Sequence, residues 1–485
     1  MPSQYRTLDV DALRAELAMS LFAEEAPGLE RLGMTVELLP VRRPIGAPAG
    51  TPPERVGLFG TQTEPGTLDA LALWAIENNV EVVPPGEHVP GSEPRADRGR
   101  FHFGLGGQLA YSTALYASPR LAFEECARTL DKLRPFMLRS GIELLGCATD
   151  PWHAAGAIEL QDGSAVGRCL DQTFSAADVG RRALRSSCGL GVRLGFGGPV
   201  KAGLRWRAAQ LLSPLATAAF AASPIEDSRH QGQKSTRARD WRGGEPTRTG
   251  FPATLGVQPG VEAVDQYLEF ALQARVIGVP VAGEGPRAGG MTPLLHAVSF
   301  ANWAEHGLHG EFPDLEDWRM HLATLGPEVR PAGGLHLRSA DVLGRAFWSV
   351  PLTFWSALLG DTEALVAVEE RFGSTAPDLR DRWELAARTG LADPGLCADV
   401  RWVFALAAEA LLRLPAGWIS NEMLAAFVAF SERFIQQGYA PADEVLDAFL
   451  HKGALGCDEW QALEQRWCRI AGTPERDVHS IAIGM

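Results

Sequence analysis

Six basic side chains crowd into twenty residues of this chain: Arg229, Lys234, Arg237, Arg239, Arg242 and Arg248, against Asp240 and Glu245. Guanidinium groups at such density suit a carboxylate or phosphate, because the planar fork donates two parallel N–H bonds to it. The same run also reads as a solvated charged loop. The segment before it weighs on the choice. Trp206 to Ala222 is apolar almost all round and too short to span a bilayer, so it reads as a buried core helix, kinked at Pro214. A core helix feeding a basic loop predicts a rigid platform that holds guanidiniums toward an anion.

Four strand-like segments could supply the other walls. In RLGMTVELLPVRR, Met34, Val36 and Leu38 alternate with Thr35 and Glu37. RFHFGLGGQLAYST reads as one strand, with His102, Gln108 and Ala110 on the face opposite Phe101, Leu109 and Tyr111. In SSCGLGVRLGFGG, Cys188, Leu190, Val192 and Leu194 face the core. Its other face carries glycines, with Arg193 as the one substantial side chain, which leaves room for a ligand or another backbone. GGLHLRSAD puts His336 and Arg338 on one face. If these faces converge, Glu37 meets Gln108, Arg193, His336 and Arg338, with Arg237 and Arg248 arriving from the basic segment. Such a pocket is neutral to positive. Two unit charges 4 Å apart interact by roughly 4 kcal/mol at an effective dielectric of about 20, enough for Arg193 to repel a divalent ion and favour an anion. One alternative uses the same residues differently: His102 and His336 with Glu37 would make a two-histidine, one-carboxylate transition-metal site.

The elements around these residues read as α+β. Helical periodicity covers residues 8 to 30, short strands and helices follow, and a strand is expected at Val56 to Phe59. From about residue 350 the chain is helical, which predicts a mixed domain over 1–350 and a helical C-terminal region over 351–485. The formal net charge of -14 argues against nucleic acid or a membrane surface as partner. Seven cysteines without a CxxC pair fit a reduced, cytoplasmic protein, and Cys188 reads as core. No signal peptide or membrane-spanning run is expected.

The chain resembles the glutamate–cysteine ligase family of the plant and proteobacterial type, which includes the ligase of actinobacterial ergothioneine synthesis. The resemblance lies in FGLGGQLAYS, in SPLATAAFAASPIEDSRHQGQKSTRARDWRGGEPTRTG, in GGMTPLL and in DLEDWRMHLATLGPEVRPAGGLHLRSAD. It implies the carboxylate–amine ligase fold of glutamine synthetase, with an antiparallel sheet funnel flanked by helices. It also implies ATP and Mg2+ as cofactors, phosphorylation of the glutamate γ-carboxylate, and attack by the cysteine amine. Arg237, Trp241 and Arg248 match the family pattern and are implied in the ligand site.

Several family acids are replaced. Thr35 stands for one carboxylate of Gly-X-Glu-X-Glu, while Glu37 remains. Gly104 and Ala110 stand for the two acids of Glu-Pro-Gly-Gly-Gln-X-Glu. Val192-Arg193-Leu194-Gly195 replaces Val-Asn-Leu-Asp, and His336 replaces the acid of Leu-Glu-X-Arg. The expectation is a kept fold with an altered site. It would be a non-ligating homologue whose Arg237, Trp241, Arg248, Arg338, Gln108 and Arg193 bind glutamate, cysteine or a γ-glutamyl peptide. An active ligase with relocated metal ligands is the alternative. The C-terminal helices leave open a homodimer or pairing with an active ligase.

Overall fold

The computed structural model describes residues 8–472 apart from 24–30, 45, 47, 49, 62, 87–97, 176–177, 256–261, 282–289, 295 and 309. Its centre is a nine-stranded sheet. In chain order the strands are β1 (Leu32–Arg42), β2 (Glu54–Arg55), β3 (Glu81–Val82), β4 (Arg100–Phe103), β5 (Leu109–Ser112), β6 (Glu143–Leu145), β7 (Gly189–Leu194), β8 (Val329–Pro331) and β9 (Leu335–Asp341). The order across the sheet is β8-β9-β7-β1-β5-β4-β3, with β2 and β6 also pairing with β1. Every pairing is antiparallel except β3 with β4. This is the expected α+β class.

Alternation along β7 decides which side of the sheet is dry. Cys188, Leu190, Val192 and Leu194 are buried on its apolar side. Behind the sheet runs the helix Pro199–Ala219, with every side chain from Ala208 to Ala219 buried. Pro199 sits in its first turn, where a missing N–H costs nothing, and the helix continues through Pro214 to Ala219. Every described residue from Ser349 to the last helix, Cys457–Ala471, belongs to helices and their connections. One apolar core joins these helices to the sheet, running from Leu13 to Trp467.

Several local expectations change. The first helix is Val10–Ser20, and residues 24–30 lie outside the described residues. The strand expected at Val56–Phe59 is Glu54–Arg55 instead. RFHFGLGGQLAYST is a hairpin of β4 and β5, because Gly107 at φ +83° turns the chain back. The side-chain parity survives this reversal: His102 pairs with Ala110 and Arg100 with Ser112, so the even-numbered residues still share a face. The basic segment is no loop. It holds a two-residue ladder, Ile225–Glu226 with Arg229–His230, and a helix, Thr236–Gly244, whose N-cap Ser235 accepts from the Ala238 N–H at 3.1 Å.

Candidate anion-binding cavity

The polar face of the sheet forms the floor of a cavity of about 190 Å³. Register sets its side chains in rows, because residues opposite each other across a sheet point the same way. One row runs Arg330, His336, Arg193 and Gly33 across β8, β9, β7 and β1. The next runs Gly191, Thr35, Ser112 and Arg100 across β7, β1, β5 and β4. A third holds Glu37, Ala110 and His102. The Thr35 and Ser112 hydroxyls share a hydrogen bond of 2.8 Å. Glu37 accepts the backbone N–H of Gly189 at 2.5 Å.

The glycines on β7 make space for side chains of neighbouring elements, where a ligand or another backbone was expected. A Cβ on Gly189 would meet the Arg237 guanidinium at 2.5 Å, and one on Gly191 would meet His336 Nε2 at 2.7 Å. Arg237 and Trp241 reach the cavity from one face of the helix Thr236–Gly244, four residues apart. Arg338 lies with its guanidinium carbon 4.5 Å from the Trp241 ring centroid, a cation–π contact, and Trp241 Nε1 donates to the Gly326 carbonyl at 2.7 Å. Arg237 donates to the Arg338 carbonyl at 3.1 Å.

Asp341, at the end of β9, fixes this helix to the sheet. Its carboxylate accepts from the Ala222 N–H at 2.8 Å and from the Ser223 and Ser235 hydroxyls at 2.7 and 2.9 Å, with Arg237 at 3.7 Å. The sequence reading missed this role. Its signal was an acid ending a strand whose inner neighbours are apolar.

Apart from the exposed Arg229, the other cations of the basic segment are spent on structure. Arg182 and Arg239 both pair with Glu226 and with the buried Asp240. Lys234 pairs with Asp443, and Arg242 with Glu384. Arg248 corrects an expectation: it is fully buried outside the cavity lining and donates to the Arg275 carbonyl and, at 2.5 Å, to Thr324 Oγ1. Gln108 does line the cavity, but its polar atoms serve the β4–β5 turn and the end of the helix Asp178–Arg185. Its oxygen accepts the Gly106 N–H at 3.0 Å, and its nitrogen donates to the carbonyls of Leu184 and Ser187 at 3.1 and 3.0 Å.

Three charged lining residues were not anticipated: Arg100, Arg330 and Asp162. Arg100 and Arg330 fall at cavity-facing strand positions, so parity alone could have found them once the strands were placed. Among the described residues the lining then carries five arginines, two histidines and two carboxylates. Burial and the neighbouring Arg193, Arg338 and Arg330 hold the His336 imidazole well below its ordinary value, so it is neutral at neutral pH. Burial and the neighbouring Arg237 lower Arg338 only to about 10, which leaves it charged. Cys188 behaves as core: it is fully buried, and burial pushes its thiol well up.

Magnesium needs hard oxygen ligands in near-octahedral geometry. Among the described residues no three His, Cys, Asp or Glu side chains stand close enough together to hold a metal ion. Glu37, His102 and His336 share the cavity without forming such a group. Of the two lining carboxylates, Glu37 is engaged by the Gly189 N–H, and Asp162 accepts the Ser164 N–H at 2.8 Å. Among the described residues, Glu37 and Asp162 thus line the cavity without belonging to a group of three such side chains.

Residues 72–462 match the model of glutamate–cysteine ligase family 2 (GCS2). The chain is 30% identical over 353 residues to glutamate–cysteine ligase EgtA of Mycolicibacterium smegmatis, covering 72% of this chain and 77% of that one. It is 26% identical over 352 residues to the chloroplastic glutamate–cysteine ligase of Arabidopsis thaliana, covering 71% and 65%. A crystal structure of glutamate–cysteine ligase from Francisella tularensis in complex with AMP is similar at a TM-score of 0.46 and 12% identity, over 95% of this chain and 94% of that one. No helix among the described residues is long and apolar enough to cross a membrane. The matched span takes in the cavity-facing parts of β4, β5, β7, β8 and β9 as well as the basic helix, and the chain belongs to glutamate–cysteine ligase family 2.

Proposed function

We propose that this chain is a non-ligating member of its family that binds a small carboxylate anion of the glutamate, cysteine or γ-glutamyl peptide class. The observation that carries this is the charge of the lining: among the described residues five guanidiniums face two carboxylates, both already hydrogen-bonded. Arg237 and Arg338 are the residues proposed to hold the ligand carboxylate, since charge-assisted bonds from guanidinium to carboxylate are about twice as strong as neutral ones. Trp241 holds Arg338 in place from the other side. The family reaction uses ATP and magnesium, and the replaced acids argue that this cavity does not support it. The unpaired cysteines fit a reducing cytoplasm.

Calorimetry of the full chain against glutamate, cysteine and γ-glutamylcysteine tests the reading. Binding without ATP turnover is expected, and absence of binding to all three would sink it. The second reading, an active ATP-dependent glutamate–cysteine ligase, rests on family membership and on 30% identity to an enzyme of that name. Magnesium-dependent ATP hydrolysis that requires glutamate and cysteine would establish it instead. A third, the transition-metal enzyme using His102, His336 and Glu37, is decided by elemental analysis: stoichiometric iron or zinc in the purified chain would revive it.

A further inference from the structure

The pairing of β8 with β9 runs on past Arg330–His336 and Val329–Leu337 to Glu328 and Arg338. The Arg338 N–H donates to the Glu328 carbonyl at 3.2 Å. The return bond of such an antiparallel pair is replaced. The Glu328 N–H donates to the Gly250 carbonyl at 3.2 Å, and the Arg338 carbonyl accepts from the Arg237 guanidinium at 3.1 Å. Arg237 thus enters the ladder where a strand N–H would, and it joins Glu328 and Arg338 in one cluster. Both arginines line the cavity, whereas Glu328 is buried outside the lining. A second acid, Asp341, stands 3.7 Å from Arg237. The two acids differ in their own bonding. Asp341 accepts from the Ala222 N–H and from the Ser223 and Ser235 hydroxyls, so a proton there would compete with three donors. Glu328 has a buried Oε2 without a hydrogen-bond partner, where a proton displaces nothing. Burial raises both carboxyls above their ordinary range, and for Glu328 the rise is opposed by Arg237, Ser339 and Arg338. Arg380 comes close to Gly250 from the helix Leu379–Thr389. Tyr267, beside Arg330 and Arg338, is raised by burial to about 12 and stays neutral. The buried stretch Ala208–Ala219 behind β8 brings no ionisable side chain.

We infer that Glu328 is a positioning residue whose proton occupancy sets how strongly Arg237 and Arg338 hold a carboxylate. The inference rests on the proposed function and adds the regulation of that site. When Glu328 is ionised, part of the charge of the two guanidiniums is already answered from outside the cavity lining. A ligand carboxylate in the cavity brings a second negative charge to the same guanidiniums. Like charges disfavour each other's ionised form, so ligand binding draws a proton from solvent onto Glu328 Oε2. The linkage is reciprocal. The complex holds more protons than the free chain, so affinity rises as the pH falls. The carboxylates of glutamate itself stay ionised above about pH 5. Within the cavity, His102, His336, Glu37 and Asp162 would act in the same direction on taking up a proton, and Asp341 would do so from its edge. A variant at position 328 therefore assigns the effect.

The test is calorimetry of the full-length chain with glutamate at about pH 8 and about pH 5.5, in buffers of different ionisation enthalpy at each pH. If glutamate does not bind, cysteine and then γ-glutamylcysteine take its place. Proton uptake on binding is expected, with affinity at least threefold higher at the lower pH. Glu328→Gln stays neutral at every pH. It should bind at least threefold more tightly than the unaltered chain at about pH 8 and change less than twofold between the two conditions. A merely structural role for Glu328 predicts weaker binding in the variant at both. If circular dichroism shows that Glu328→Gln does not fold, difference infrared spectroscopy of the unaltered chain decides, with ligand labelled with carbon-13 at its carboxyls. A protonated-carboxyl band that appears on binding supports the inference, and no such band overturns it. Three calorimetric outcomes also overturn it: binding without proton uptake, weaker binding in Glu328→Gln, or a variant that keeps the full pH dependence, which would assign the proton to another group. Each of these leaves the proposed function standing. Absence of binding by all three ligands removes both.

Discussion

The basic segment around Thr236–Gly244 and the polar face of the sheet are both rich in arginine, but their surroundings differ. In the segment, Arg239 shares Glu226 and Asp240 with Arg182, Lys234 has Asp443, and Arg242 has Glu384. On the sheet, Arg193, Arg330 and Arg338 surround a histidine, and the carboxylate on that floor is occupied by a backbone N–H. A run of cations in sequence therefore says little about where positive charge accumulates in space. The segment is close to self-neutralised, and Arg237 is its cationic contribution to the cavity. The sheet draws its arginines from positions as far apart as Arg100 and Arg338, 238 residues, that only pairing brings together.

The comparison can be broken first at Asp240. It is buried and shared by two arginines, with Arg182 Nε at 3.0 Å and Arg239 Nε at 2.8 Å. Removing one partner of a buried ion pair leaves uncompensated charge and costs about 3–5 kcal/mol. Asp240→Ala should thus lower stability in urea denaturation by about 3 kcal/mol. A loss below about 1 kcal/mol would mean that these ion pairs are not what holds the segment.

A smaller effect is expected on the sheet. Ala at position 191 would place a Cβ 2.7 Å from His336 Nε2, so the ring must move. Overpacking of this kind costs roughly 1–3 kcal/mol, and the lower end applies because the obstacle is a side chain that can shift. Gly191→Ala is expected to fold and to melt a few degrees lower in a thermal scan. An unchanged melting temperature would show that the His336 ring moves aside without cost.

A third prediction concerns His321, which sits behind the segment and beside Arg248. Its Nε2 is 2.8 Å from the Ala271 carbonyl, and burial, with Arg248 adding to it, lowers its value to about 3. The unfolded chain therefore binds a proton there between about pH 6.5 and 3 that the folded chain does not. His321 accordingly removes stability as the pH falls through that window, by about 1.4 kcal/mol per pH unit. Carboxyls that desolvation raises, the half-buried Asp317 among them, act in the opposite direction, so the difference between variants is the informative quantity. The stability deficit of His321→Asn should shrink by about 1.4 kcal/mol for each unit of acidification below about 6.5. A deficit constant with pH would show that His321 titrates normally.

The smallest effect belongs to Arg229. It is exposed on its two-residue ladder and is absent from the cavity lining. Arg229→Ala should leave glutamate affinity within twofold by calorimetry. A larger change would mean that the segment's net charge matters beyond the residues it sends inward.

Sequence by itself determined the two faces of the sheet. Side chains alternate with a period of two, so the positions of Thr35, Glu37, His102, Arg193, His336 and Arg338 on one side follow from their neighbours' hydrophobicity alone. Parity survives even the hairpin that was read as one strand, because an antiparallel reversal with even spacing preserves it. The buried helix before the basic segment was legible for a similar reason: a segment apolar all round has nowhere to go but the core. Tertiary structure alone decided which polar atoms remain available once the backbone has been served. Gln108 and Arg248 have the right chemistry, but Gln108 is taken up by the β4–β5 turn and the carbonyls of Leu184 and Ser187, and Arg248 by a carbonyl and a hydroxyl outside the cavity lining. Arg330 came into the row through the register of β8 on β9. A hydrogen bond or an ion pair depends on distances of a few ångströms between residues far apart in the chain, and spacing along the chain does not encode those distances.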